Sequence, residues 1–428
     1  MEIEIICTGD EVLTGKIVNS NFSYIAQKLE DFGLSVRRGI TVGDDREELL
    51  QAFRRAGERA DVVIVNGGLG PTVDDLSQEI AAQAAGVELE LNEQWYSHMK
   101  EYFLSRGRKM PENNRKQAML PATAELVDNP VGTACGFAVT IGKARFYFTP
   151  GVPRELHRML EHELLPRMLK QGGAPGVIVL KRFHSFGLGE SHVDQLLGGL
   201  EEMVADGSLK LGFRAHYPQL ETKLTIRAAD AAEAEAKLEP VVAELRRRIG
   251  NFILAVDDET LEGVVLDALA QAGATLAVVE DFTGGQAAAR LAPLPGADAV
   301  LLRATVALTD AGKAAAFGGD GPLPSSDGDL RPELAEELAV RARDVAGATH
   351  GLAVLVQVLP GKGPNNLNST ICIGLASPAG VVSRRSRMAG NRDWIRLGAV
   401  EMGLDSLRRL LQDLPIRETI DFEKPQPK

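Results

Sequence analysis

The sequence predicts an α/β protein: an N-terminal three-layer α/β domain, a small α+β domain, and a further α/β domain at the C-terminus. Two observations carry that prediction. Short apolar runs alternate with segments of helical periodicity from the first residues onward, as in a parallel sheet covered on both faces. The stretch QGGAPG at 171–176 then interrupts the alternation as a linker would. The domain boundaries this gives are 1–170, 175–252 and 258–416.

IEIIC is a short apolar strand bounded by TGDE. NSNFSYIAQKLEDFG is a helix with Phe22, Ile25, Ala26 and Leu29 at helical spacing and Gly33 as its stop. LSVRRGITV reads as a strand, REELLQAFRRAGER as a helix, and DVVIV as a strand in the middle of the sheet. NEQWYSHMKEYFLSRG and VPRELHRMLEHELLPRML are helices, and between them ELVDNPVGTACGFAVTI and KARFYFTPG supply strands around a Gly-rich turn. Beyond the linker, GVIVLKRFHSFGL, ESHVDQLLGGL, KLGFRAHYPQLETKLTIRA and AAEAEAKLEPVVAELRRRIG give strand, helix, strands and helix, enough to fold alone. From Thr260 onward, TLEGVVLDALAQAG is a helix, ATLAVVED a strand and ELAEELAVRARDVAG a helix. GLAVLVQVLPG and STICIGLAS are apolar strands, and NRDWIRLGAVEMGLDSLRRLLQDL is the last helix. Residues 315–333 form a Gly/Pro/Ser-rich loop, and the polar tail is expected to fray.

Composition narrows the function classes. The 428 residues are 44% apolar and 25% charged, ordinary for a globular chain. No apolar run approaches the roughly 18 residues of a membrane span. The acidic start MEIEIICTGDEV lacks the basic residues of an export signal, so export is not expected. Cys7, Cys135 and Cys372 are scattered, which excludes a disulfide framework and a zinc ribbon and fits the cytoplasm. A net charge of −12 argues against a general nucleic-acid binder, and leaves room for a local pocket for one phosphorylated small molecule.

Chemistry-bearing residues gather at strand ends. In VVIVNGGLGPTVDD, residues 62–75, a strand runs into Gly67, Gly68, Gly70 and Thr72, then Asp74 and Asp75. Glycines let backbone N–H groups approach a phosphate or a ring, and a helix beginning near Asp74 would offer its positive end. The plainer alternative is a tight turn with Thr72 or Asp74 as a helix cap. TGDEVLTG presents Asp10 and Glu11, with Asn19 and Asn21 next, and VGDD adds Asp44 and Asp45. Clustered carboxylates repel, so such a rim holds a hard cation such as Mg²⁺ or uses raised pKa values. ENNRKQAMLP supplies Asn113, Asn114, Arg115 and Lys116, suited to phosphate oxygens, and TPGVPRE supplies Arg154 and Glu155. Together these suit metal-assisted hydrolysis of a phosphoanhydride.

TGDEVLTG, VGDD, NGGLGPTVDD, NPVGTACGF and TPGVPRE, in this order and spacing, closely resemble the N-terminal domain of the CinA (competence/damage-inducible) family. That domain is similar to the molybdopterin-binding fold of molybdenum-cofactor biosynthesis proteins. The match covers residues 1 to about 170, and Cys135 stands where the family has a proline. The order of units resembles full-length family members: sugar-nucleotide domain, KH-like domain, C-terminal three-layer α/β CinA domain. The resemblance implies a cytoplasmic homodimer whose N-terminal domain is an ADP-ribose pyrophosphatase, needing a divalent metal (Mg²⁺ or Co²⁺) and K⁺. Carried onto this sequence, Asp74, Asp75 and Glu155 are catalytic candidates and Asp10, Glu11, Asp44 and Asp75 metal candidates. Asn19, Asn21, Gly67, Gly68, Gly70, Thr72, Asn113, Arg115 and Lys116 are candidates for the substrate. FGLGES at 186–191 lacks the GxxG loop of RNA-binding KH domains, so a spacer or dimerisation role is expected there.

The C-terminal domain departs from the family most. The family's nicotinamide-nucleotide amidohydrolase has an E-S-C-T-G-G turn with the serine as nucleophile; this chain reads EDFTGG. Glu280, Thr283, Gly284 and Gly285 fit, while Asp281 and Phe282 replace serine and cysteine. VALTDAGK keeps Lys313 but has Leu308 for a tyrosine, VQVLPGKGP has lost a Thr-Gly start, and GNRDWIR retains Arg392 and Arg396. A carboxylate is a poor substitute for an acylated hydroxyl. The expectation is therefore a degenerate deamidase domain, with pyrophosphatase activity at the other end of the chain. The alternatives are a non-catalytic molybdopterin- or nucleotide-binding protein, an active nicotinamide mononucleotide deamidase, with Thr283 as a replacement nucleophile, and a purely structural or regulatory protein.

Overall fold

A computed structural model of the protein describes residues 1–171, 177–317, 323, 328–363 and 365–423. The core of the expected linker, 172–176, and part of the Gly/Pro/Ser-rich loop at 315–333 lie outside the described residues. The chain separates into two compact units, the first ending at Ile178 and the second beginning at Val179. Both are mixed α/β, with sheets flanked by helices.

In the first unit the strands are β1 (Ile3–Thr8), β2 (Val36–Val42), β3 (Val62–Asn66), β4 (Leu89–Leu91), β5 (Met119–Pro121), β6 (Glu125–Val127), β7 (Gly136–Ile141) and β8 (Ala144–Thr149). Its helices are α1 (Asp10–Leu13), α2 (Ser20–Asp31), α3 (Arg46–Arg59), α4 (Ser77–Ala85), α5 (Glu93–Leu104), α6 (Pro153–Met159) and α7 (Leu165–Gln171). The main sheet has the order β2-β1-β3-β8-β7-β6. Strands β2, β1, β3 and β8 run parallel, and β7 and β6 are antiparallel additions. Strand β3 shows why three layers form. Val62 and Ile64 enter one core with Ile3, Ile5, Ile25 and Leu156, while Val63 and Val65 enter the other with Ile6, Phe53, Phe146 and Phe148. Each such side chain taken fully out of water is worth about 1.5–3 kcal/mol, so both faces must be covered. Side chains fix the helix starts: Asn19 accepts from the Phe22 N–H at 3.0 Å, and Asp45 from those of Glu47 and Glu48 at 3.0 and 2.9 Å. The helix after β3 begins at Ser77, three residues later than expected from Asp74, and neither Thr72 nor Asp74 is its N-cap.

The second unit holds β9 (Val177–Ser185), α8 (Glu190–Leu197), β10 (Leu209–His216), β11 (Gln219–Ala228), α9 (Ala231–Ile249) and β12 (Ile253–Val256), whose strands form a sheet in the order β10-β11-β9-β12. There follow α10 (Leu261–Gln271), β13 (Leu276–Glu280), α11 (Gln286–Leu291), α12 (Ala297–Val300), β14 (Leu301–Val306) and α13 (Asp310–Phe317). The chain ends with α14 (Pro332–Ala346), β15 (His350–Gly363), β16 (Asn366–Ser377), β17 (Gly380–Gly390) and α15 (Arg392–Leu411). The second sheet is β14-β13-β15-β16-β17, with β13 parallel to both neighbours. Sequence pattern divides this unit into two domains, yet it is one compact body because polar and aromatic contacts join the halves. Tyr217 stacks on Trp394 at 4.2 Å and donates to its carbonyl at 3.0 Å, and Gln219 donates to the buried Glu401 at 2.6 Å.

The tail is not frayed as far as Glu423. Ile420 is buried in the main core, Arg384 donates to the carbonyls of Ile416 and Glu418, and Asp421 accepts from the Gly189 N–H at 2.7 Å. Apolar residues spaced among the charges (Ile416, Ile420 and Phe422) make that docking worthwhile. Among the described residues, no helix is long and apolar enough to cross a membrane.

Candidate functional site

In an open parallel sheet, a crevice opens beyond the strands' carboxyl ends where the strand order reverses. In the first unit that point lies between β1 and β3, and a cavity of about 680 Å³ sits there. Its floor is polar. Asn66, the last residue of β3, donates to the Pro150 carbonyl at 2.7 Å and accepts from Asn21 at 2.9 Å, and Asn21 also donates to the Gly151 carbonyl at 2.7 Å. Gly67 (φ +112°) and Gly68 (φ +68°) carry the chain past Thr8, and a Cβ on Gly67 would lie 2.5 Å from the Thr8 hydroxyl oxygen. That hydroxyl and the Asn21 Oδ1 are buried and have no hydrogen-bond partner among the described residues. A buried polar atom left unpaired costs about 1–3 kcal/mol, which a ligand can recover.

Of the residues singled out in the sequence, Glu11, Asn19, Asn21, Asp44, Gly67, Gly68, Gly70, Thr72, Asp74, Asp75 and Glu155 line this cavity. Asp10, Asn113, Arg115 and Lys116 do not. Asp10 turns to Asp44, each carboxylate accepting the other's backbone N–H at 3.1 and 3.2 Å. Lys116 donates to the Thr72 carbonyl and so braces the loop, while Asn113 and Arg115 are exposed. Asp75 accepts from both the N–H (2.9 Å) and the hydroxyl (2.5 Å) of Thr72. Burial pushes the Asp44 and Glu155 carboxyls above their usual range, the Glu155 shift opposed by the Asn129 amide that donates to it at 2.7 Å. Thr8, Asn66, Gln117 and Asn129 escaped sequence reasoning. For Asn66 a signal existed: it is the polar last residue of an otherwise apolar strand.

No group of three or more His, Cys, Asp or Glu side chains among the described residues is arranged to hold a metal ion. One oxygen each of Asp10, Asp44 and Asp75 accepts from a backbone N–H, that of Asp75 also from the Thr72 hydroxyl.

The second unit has the equivalent crevice between β13 and β15, and Asp281 lies across it. Glu280, 1% exposed, ends β13. It accepts from the Thr283 hydroxyl at 2.6 Å and from the Ala287 and Ala288 N–H groups at 3.1 Å, which caps α11. Asp281 spans the crevice: Oδ1 accepts from Val356 N–H of β15 at 2.9 Å and from Phe282 N–H at 2.6 Å, and Oδ2 lies 3.2 Å from Lys313 Nζ on α13. Burial pushes the Asp281 carboxyl up, against the pull of Lys313. Gly284 and Gly285 take φ of +70° and +90°, the left-handed turn that starts α11. The guanidinium of Arg392 lies 4.9 Å, and that of Arg396 5.9 Å, from the centroid of the Phe282 ring. Leu308 is 69% exposed.

Three family descriptions match consecutive parts of the chain: a probable molybdopterin-binding domain over 4–170, the damage-inducible protein CinA KH domain over 181–255, and the CinA C-terminal domain over 258–411. A CinA-like protein of Frankia casuarinae is 39% identical over 424 residues, covering 98% of each chain. The chain belongs to the CinA family. A CinA-like protein of Myxococcus xanthus is 37% identical over 97% of this chain and 99% of its own. The Shewanella oneidensis relative, 34% identical over 96% of both chains, is named nicotinamide-nucleotide amidohydrolase PncC. A solved CinA structure from Thermoplasma acidophilum, of unknown function, is 35% identical over 40% of this chain and 96% of that one, with a TM-score of 0.36.

These relatives correct the expected activity. The expectation of a pyrophosphatase with a degenerate deamidase domain does not agree with a CinA-family relative, aligned over nearly the whole chain, whose name specifies an amidohydrolase.

Proposed function

We propose that the second unit hydrolyses the amide of a nicotinamide nucleotide and releases ammonia. The observation that carries this is the Asp281–Lys313 pair at the carboxyl end of β13, where the sheet order reverses. The relative named as an amidohydrolase supports the substrate class. With no hydroxyl at position 281, the route that these residues favour is direct attack by water. The raised Asp281 carboxyl is a stronger base than an ordinary carboxylate and takes the water proton as the oxygen adds to the amide carbon. The same proton passes to the departing nitrogen as the C–N bond breaks, leaving the nicotinate nucleotide and ammonia. Lys313 holds the Asp281 oxygen in place and offsets charge on the intermediate. The test is ammonia release from nicotinamide mononucleotide by the full chain. Loss of about 100-fold or more in Asp281→Asn supports the assignment, and ammonia at the wild-type rate from that variant refutes it.

A second reading concerns the first unit, and the unpaired Thr8 and Asn21 oxygens favour it. Its cavity binds a phosphorylated pterin or nucleotide, with the Gly67–Gly70 loop against the phosphate. Calorimetric titration with ADP-ribose or a phosphorylated pterin tests it, and no heat from either ligand would count against it.

A further inference from the structure

The residues that join the small sheet of the second unit to its larger one also stand behind the Asp281 turn. Helix α11 begins directly after that turn, and its first amides donate to Glu280. From the last turn of α11, Arg290 pairs with Glu262 of α10 and, at 2.7 Å, with Oε2 of Glu401 on α15. Glu401 is 1% exposed, and its other oxygen accepts at 2.6 Å from Gln219, the first residue of β11. One buried carboxyl therefore ties the helix that follows the turn to the small sheet. A carboxylate buried this deeply holds its donors firmly, because water cannot take their place. A second contact lies two turns earlier on α15. Tyr217, between β10 and β11, stacks on Trp394 and donates to its carbonyl at 3.0 Å. A Cβ on Gly398 would lie 2.7 Å from the Tyr217 hydroxyl oxygen, so α15 carries no side chain where the hairpin comes against it. Arg392 and Arg396, two residues to either side of Trp394, meet the Phe282 ring of the turn.

We infer that Gln219 and Tyr217 are positioning residues for the Asp281 turn. Through Glu401 and Trp394 the β10–β11 hairpin steadies α11, which holds the far end of the turn, and the start of α15, which holds its Phe282 ring. Both bear on where the Asp281 carboxyl stands. The small sheet is then a working part of the site rather than a spacer. A misplacement of about 1 Å at a reacting group can cost roughly 100-fold in rate, so a contact one helix away is felt in the chemistry. The catalytic consequence rests on the amidohydrolase reading; the coupling of hairpin to turn does not.

The test takes two readouts on the full chain: amide hydrogen exchange in peptides covering 281–291, and ammonia release from nicotinamide mononucleotide. Gln219→Leu removes a donor from a buried carboxylate, so exchange across 281–291 rises about tenfold, and kcat falls about tenfold with KM little changed. Tyr217→Phe keeps the stack and loses one neutral hydrogen bond, and it moves both readouts the same way by about threefold. It carries the test alone if Gln219→Leu does not fold. Leu245→Ala opens a cavity in α9, inside the small part, and is the control for general loosening; it leaves exchange across 281–291 as in wild type. Exchange unmoved by both hairpin variants, or raised as much by Leu245→Ala, overturns the coupling. Faster exchange with kcat unmoved in a chain that releases ammonia overturns the positioning role. Faster exchange in a chain that releases no ammonia keeps the coupling and removes the amidohydrolase.

Discussion

The two units place different things at the same topological position. Where the strand order reverses in the first, Gly67 and Gly68 follow the strand and a cavity of about 680 Å³ remains, with unpaired polar atoms in its wall. Where it reverses in the second, Asp281 follows the strand, reaches across, and bonds to β15 and α13. The comparison teaches that this architecture supplies a crevice at its switch point, and that the first residues after the strand decide what faces it: a glycine loop beside an open cavity in the first unit, an acid paired with a lysine in the second.

The largest effect should come from breaking the bridge. Lys313→Ala leaves a buried carboxylate without its cation and should cost about 3–5 kcal/mol in urea unfolding of the second unit. That cost should shrink as pH falls, because the raised Asp281 carboxyl takes up a proton and no longer needs a partner. A cost that is flat with pH would mean Lys313 acts by packing alone.

Filling the open crevice comes next. Gly67→Ala forces a side chain at φ +112° and toward the Thr8 hydroxyl, so about 1–3 kcal/mol of stability should be lost, together with ligand uptake by the first unit. Uptake unchanged in that variant would move the ligand away from the loop. Thr283→Val removes one of three donors to Glu280 and should cost about 1–2 kcal/mol by thermal unfolding. If it also abolishes ammonia release while Asp281→Asn does not, the hydroxyl and not the carboxyl is the working group.

The smallest effect is the pH dependence of Glu155→Gln. Glu155 has a folded pKa above its ordinary 4.5, so its charged form is disfavoured by folding. Wild type should therefore lose stability relative to the variant as pH rises from below 4.5 through the raised value, and the gap should then stay constant. Parallel stability curves in that window would show that burial of Glu155 is not felt.

Much of this was legible in the chain. The alternation of elements and the caps Asn19 and Asp45 are local signals with local causes. So were the strand-end loops, and eleven of the residues that the first unit assembles at its cavity had been singled out. The departures have physical causes too. Arg115 and Lys116 are basic residues near the right loop in sequence, but which side of a short helical turn meets the cavity depends on what Asn114 and Gln117 bury beneath it. Sequence boundaries divide the second unit because nothing local announces that Tyr217 will stack on Trp394 or that Gln219 will meet Glu401.

By itself the sequence determined the α/β class, the order of units, the family, and the loss of the hydroxyl at position 281. Helical and strand periodicity, glycine placement and residue identity are properties of neighbouring residues and need no partner. Only the tertiary structure decided that Asp10 and Asp44 each accept the other's backbone N–H, that Asp281 bridges two elements, and that Arg392 and Arg396 meet Phe282. Those outcomes depend on where side chains from distant strands and helices end up, and a buried charge takes whichever partner packing brings within reach.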